Sequence, residues 1–165
     1  MPFTPFHLGP ALFFGLILLR YVNFPTFIAS SIVLDIEGLL VLLLNLDYPL
    51  HGFFHSFLGG SVVAVFLAFL MVRMNGRIQR IVSPFKLGQK YSGKNIWLAS
   101  FAGVFLHIVL DAPLYPDMMP FFPLTANPFY GISPALEVYG LCVILLLAGA
   151  GLYLYRISRR KTGKV

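Results

Sequence analysis

Four histidines and six acidic residues carry almost all the reactive chemistry of this 165-residue chain. Three short stretches concentrate them. His51 and His55 lie four apart in DYPLHGFFHS, residues 47–56. On one helix such residues share a face and can hold one metal ion, as helical zinc-binding pairs do. The plain alternative is two histidines touching water and phosphate at a helix mouth. His107 and Asp111 repeat the spacing in HIVLD. There the carboxylate can ligate beside the imidazole or fix its orientation; alternatively the pair staples two helices together. Asp35 and Glu37, in LDIEG, are two apart and on a regular helix point to nearly opposite sides. Both serve one site only if the backbone unwinds there; one carboxylate then ligates and the other, Glu37 or whichever does not ligate, acts as general base. Alternatively one is functional and the other faces a partner helix. Imidazole and carboxylate are zinc's preferred donors besides thiolate, although the same set also suits manganese or iron.

His7 stands in TPFHLGPA and reads either as a further ligand or as a cap at a helix entrance. Glu137, just after Pro134, is a first-turn acid favoured by the helix dipole, and Asp47 and Asp117 read as loop acids. The single cysteine, Cys142, sits in an apolar run and excludes an internal disulfide.

The elements that position these residues are membrane helices. Hydrophobic residues make up 58% of the chain and charged ones 11%, with a mean hydropathy of +0.84; a soluble domain carries about 25% charged residues. The expectation is an all-α integral membrane protein, a bundle of about five transmembrane helices at residues 8–22, 25–46, 52–74, 95–114 and 135–157. The first run lacks a basic leader and a small-residue cleavage site, which disfavours a removable signal peptide. Residues 75–94 read as a basic loop with turns at Asn75-Gly76 and Ser83-Pro84, and the proline- and aromatic-rich residues 113–134 read as an irregular ordered loop.

Arg20, the group Arg73, Arg77, Arg80, Lys86, Lys90 and Lys94, and the tail group Arg156, Arg159, Arg160, Lys161 and Lys164 account for all 12 basic residues. With five spans, all fall on one side. The positive-inside rule then puts the N-terminus outside and the C-terminus in the cytoplasm. Membrane lipids, through their anionic headgroups, suffice as partners for this charge, and no nucleic acid is expected. An oligomer stays open. The same topology brings His7, His51, His55, His107 and Asp111 to the extracytoplasmic face. In a straight second helix Asp35 would lie about 18 Å below Asp47, near mid-bilayer. A carboxylate there is costly, so either water reaches it or the helix breaks, with Gly38 the expected place.

In the order of these elements the chain resembles the membrane-bound metal-dependent hydrolases, inner-membrane-associated hydrolases of the LexA-binding type. Members show an N-terminal His, a PDxD/E element, an HRxxTHS-like element and HxxxD before a Pro/aromatic loop. The counterparts are His7, Asp35 and Glu37, HGFFHS at 51–56, HIVLD at 107–111 and PFFPL at 120–124. Leu34 replaces the family's proline, which lowers the expectation of a break before Asp35, and the histidines of HGFFHS are four apart instead of five. A looser similarity, to zinc-dependent phospholipase C, would match Asp35, His51, His107 and Asp111 and implies phosphoester chemistry on a lipid.

The leading expectation is a hydrolase whose divalent metal, zinc foremost, is held by His51, His55 or both, with His107, Asp111 and Asp35, and with His7 as a further candidate. Loop 113–134 would act as a lid, and the substrate would be a lipid or other amphiphilic ester or phosphoester. The alternative is a transporter or ion/proton path using Asp35 and Glu37, though five short spans without a repeat argue against a lone transporter. A haem held between His55 and His107 is a third reading, and the carboxylates argue against it.

Overall fold

The computed structural model describes residues 5–88 and 92–161, the side chains of Arg160 and Lys161 excepted. Lys90, Lys164 and those two side chains, counted above among the basic groups, lie outside the described residues. Six α-helices follow one another: α1 (Leu8–Ile17), α2 (Phe24–Ser30), α3 (Asp35–Leu43), α4 (Phe57–Val82), α5 (Gly93–Asp111) and α6 (Ala135–Lys161), with short 3-10 turns at Pro5–His7, Phe53–His55 and Ser83–Phe85. No strand occurs among the described residues.

Helices α4, α5 and α6 are long and apolar enough to cross a membrane, and α2 with α3, bent by 42°, makes a fourth span if counted as one. The first of the five expected spans is a shorter apolar helix, Pro5–Ile17. Bulky side chains such as Phe66, Leu136 and Leu147 stand exposed on the bundle's outside. In hydrocarbon that costs nothing, because association there rests on close packing instead of burial from water.

Small residues set that packing. Helix α1 lies against α6 and α5 against both α2 and α4. A Cβ at Gly9 would overlap the Cys142 carbonyl oxygen of α6, and one at Gly103 would overlap the Ser30 hydroxyl and crowd the Phe27 carbonyl of α2. Cys142 is a buried free thiol. Hydroxyls add glue: Ser100 donates to the Ala64 carbonyl of α4 at 2.7 Å, and Ser30 to the Ala99 carbonyl of α5 at 3.0 Å. Leu34, Ala64, Val104, Ile108, Ala112 and Met118 form the core beneath the site.

Several expected boundaries move. The second span does break, but at residues 31–34, before Asp35, and not near Gly38. No proline is needed. The Ser30 and Ser31 hydroxyls both donate to the Phe27 carbonyl, at 3.0 and 2.8 Å, and such back-bonding competes with the helix ladder. Gly38 instead sits buried inside α3. The third helix starts at Phe57, not 52, because Ser56 caps it by accepting the Gly59 amide at 2.9 Å. His51 and His55 therefore do not share a helix face; they sit on the irregular approach to α4. The turn expected at Asn75-Gly76 is absent, since α4 runs on to Val82, its Asn75 side chain taking hydrogen bonds from Asn23 and Gln79. Residues 112–134 carry no helix, as expected.

The basic segments meet at one end of the bundle. Asn95, opening α5, donates to the Tyr21 carbonyl at 2.6 Å, and Lys86 donates to the Ile157 carbonyl of α6 at 3.4 Å. From Asn95 to Asp111 along α5 is about 24 Å, so the histidines and acids occupy the opposite end.

Candidate metal centre

His107 and Asp111 close the last turns of α5, both buried. The break at 31–34 positions what faces them. In an unbroken helix the Ser31 carbonyl would bond the Asp35 amide; here that amide turns to Ile32. The freed Ser31 carbonyl lies 2.8 Å from His107 Nδ1. A carbonyl only accepts, so Nδ1 carries the hydrogen, and whenever the ring is neutral it is Nε2 that presents the lone pair. Asp35, first residue of α3, brings Oδ1 to 3.8 Å from that Nε2, and Asp111 Oδ2 lies 3.2 Å from it. The 3-10 turn ahead of α1 delivers His7, whose Nε2 is 3.1 Å from Asp111 Oδ1 and whose ring stacks on His107 at 4.0 Å between centroids.

These contacts are close without being aligned as hydrogen bonds: the His7 and His107 Nε2 atoms are buried and unsatisfied, and so is His55 Nε2. Two donors about 2.1 Å from one tetrahedral zinc are about 3.4 Å apart, so the 3.1–3.8 Å separations are those of ligands converging on a common ion. The donor chemistry fits a divalent cation. One atom each from His7, Asp35, His107 and Asp111 forms a group within 4.8 Å of one another, and so does one atom each from His51, His55 and Asp111.

The second group is held from behind. His55 gives its Nδ1 hydrogen to Glu37 Oε2 at 2.7 Å, and Glu37 Oε1 accepts the Phe54 amide at 3.3 Å. His51 gives its Nδ1 hydrogen to the Asp117 carboxylate, 3.2 Å from either oxygen, and stacks on Tyr115 at 3.8 Å. Burial lowers the His51 pKa, and His55 nearby lowers it further against the pull of Asp117. The ring is therefore neutral at neutral pH, the form that ligates. Burial and the Tyr139 hydroxyl push the Tyr115 phenol well up, keeping it protonated. Residues 115–120 fold back over the site, pinned by Phe57 donating to the Pro120 carbonyl at 2.9 Å and by Asn127 donating to the Ala112 and Tyr115 carbonyls.

All seven residues singled out from the sequence meet in one place, six as members of the two groups and Glu37 behind His55. Asp35 and Glu37 reach the same cluster because α3 begins at Asp35. Sequence reasoning missed Ser31, Asp117 and Tyr115. Asp117, 66 residues from His51, has no spacing signal at all. Glu137 lies where expected, in the first turn of α6, taking a hydrogen bond from Ser133 at 2.9 Å; Asp47 is exposed.

Fold and site together define a polytopic helical membrane protein with a buried histidine–carboxylate cluster at one end. The model of the YdjM inner membrane protein family matches residues 4–164, and the chain belongs to that family. No curated protein and no solved structure matches it.

Proposed function

We propose that this chain is a membrane-embedded metal-dependent hydrolase acting on a lipid-like or amphiphilic ester or phosphoester. One observation carries the reading: buried Nε2 atoms without hydrogen-bond partners stand among carboxylate oxygens at ligand-to-ligand separations, at the end of the bundle remote from the basic residues. His7, Asp35, His107 and Asp111 would hold the metal, with zinc the first candidate. A divalent cation bound there would supply Lewis acidity and lower the pKa of a water towards about 7.

The remaining steps belong to side chains. Ser31 and Glu37 keep His107 and His55 in the tautomer that turns Nε2 inward. Glu37 Oε2 is taken by the His55 N–H on the side of that ring away from Nε2, so Oε1, in its longer bond to the Phe54 amide, is the atom we assign to accept the proton through one intervening water. Glu37 also borders an apolar groove of about 210 Å³ between Val33, Leu34, Ile36, Leu40, Phe54 and Val63. Apolar walls ending at a carboxylate suit an acyl or prenyl chain whose ester group lies at the cluster. Loop 113–134 serves as the cover that excludes bulk water.

Elemental analysis of wild-type and His107→Ala protein tests the reading. Wild type should carry stoichiometric metal and hydrolyse a synthetic amphiphilic ester or phosphoester, and His107→Ala should lose both. Glu37→Gln, which can still accept the His55 hydrogen, should keep the metal and lose at least about a hundredfold in kcat, within the usual range for general-base loss. Wild-type protein that binds no metal even on supplementation would refute the proposal.

A further inference from the structure

Asp111 belongs to both candidate groups, and that sharing has a chemical consequence. We propose that the site is binuclear: the Asp111 carboxylate bridges two divalent cations, one held with His7, Asp35 and His107, the other with His51 and His55. The proposal rests on the metal-site reading above and deepens it from one ion to two.

Geometry supports the sharing. The two groups use different histidines, and their only common member is a carboxylate. Its two oxygens stand 3.1 and 3.2 Å from His7 and His107, and with two lone pairs on each oxygen one of them can also serve the second cation, whose His51 and His55 atoms lie within 4.8 Å of it. An imidazole Nε2, with a single lone pair, could not be shared in this way. His55 and His107, one from each group, have ring centroids 5.4 Å apart, so the groups are side by side, at the scale of two-metal centres whose ions lie about 3.5–4 Å apart. Each group contains a histidine whose buried Nε2 finds no hydrogen-bond partner, His107 in the first and His55 in the second. In both rings Nδ1 is already committed, to Ser31 and to Glu37. That arrangement orients a ligating histidine, and a single ion in the first group would leave the second without a purpose.

Charge balance points the same way. Asp35, Glu37, Asp111 and Asp117 are four carboxylates around one cluster, and among the described residues their ion-pair partners are histidines alone. The lysines and arginines lie in the segments gathered at the far end of α5. One divalent cation leaves one of the three carboxylates with buried side chains, Asp35, Glu37 and Asp111, uncompensated in a medium where unpaired charge is costly; with Asp117, which is exposed, the four match two cations. The ligand counts also differ, four against three. The His51/His55 ion is therefore the one with room for substrate, beneath the Tyr115–Asp117 part of the loop.

Manganese loading of the full-length protein in detergent, with metal counting and electron paramagnetic resonance, tests this independently of activity. Wild type should bind two ions per chain and show a spin-coupled multiline spectrum. His51→Ala, which removes a ligand from the second group alone, should bind one ion and give an uncoupled six-line signal. Asp111→Asn should lose the coupling as well. One ion per wild-type chain, or two ions without coupling, would overturn the binuclear proposal and leave the single-metal hydrolase standing. No bound metal in wild type would overturn both.

Discussion

At the scale of the residue, this site is decided by what stands behind each histidine. His107 leans on a carbonyl, His55 on Glu37 and His51 on Asp117, and each contact removes the Nδ1 hydrogen from the choice of tautomer. Asp117→Asn is accordingly informative. The amide oxygen still accepts from Nδ1, but the charge is gone, and His51 affinity for metal should fall about 10–100-fold, as is usual when such a partner is altered. Titration of metal against the variant and wild type checks it; unchanged affinity would make Asp117 an ordinary loop acid, as its sequence position alone suggests. The inward-facing residues were legible because an apolar chain has few other uses for His, Asp and Glu. Their supports were not. Ser31 acts through its main-chain carbonyl, and any residue type has one.

At the scale of the element, the sequence conveyed that helices exist better than where they start. The i, i+4 rule places His51 and His55 on one helix face, yet Ser56 is a strong cap and begins α4 just after them. Hydrogen-bond chemistry at one serine thus overrides a spacing pattern. The break in the second span shows the same competition: the expected signal was proline, and the operative one was a pair of serines bonded back to Phe27. Close helix contacts were equally hidden, because a glycine does not announce its neighbour. Gly9→Ala should test their weight. Its new methyl group would overlap the Cys142 carbonyl, a main-chain atom that cannot swing aside, so α1 must shift from α6 at a cost of about 1–3 kcal/mol. Since His7 lies two residues away, thermal stability in detergent and metal affinity should fall together. A loss of stability with full metal affinity would show that the position of His7 does not depend on this contact.

At the scale of the whole molecule, the decisive property is the segregation of charge. Arg20, the Arg73–Lys86 stretch and the start of the tail belong to segments joined at one end by the Asn95–Tyr21, Asn23–Asn75 and Lys86–Ile157 contacts, while the histidines and acids meet at the other. That separation follows from the order of spans and is readable in the sequence. Its direction relative to the membrane is a prediction of its own: basic segments stay on the cytoplasmic side, so the cluster should face the extracytoplasmic compartment. The shortness of α1 bears on this. Pro5–Ile17 and the turn after it reach from His7 at the cluster to Tyr21 beside Asn95, so α1 traverses the depth that α5 covers from Asn95 to Asp111. The five-span reading accordingly predicts that the chain changes sides with α1, short as that helix is. Reporter fusions discriminate the two orientations. A cytoplasm-active reporter should work after Phe85 and after Lys161, and an export-dependent one after Ile132, in the loop that covers the site. Neutralising Arg77, Arg80 and Lys86 together should weaken or mix this pattern, because the orientation rests on their charge. The reverse pattern in the unaltered chain would place the cluster on the cytoplasmic side, and the candidate substrates would then be amphiphiles of the inner leaflet.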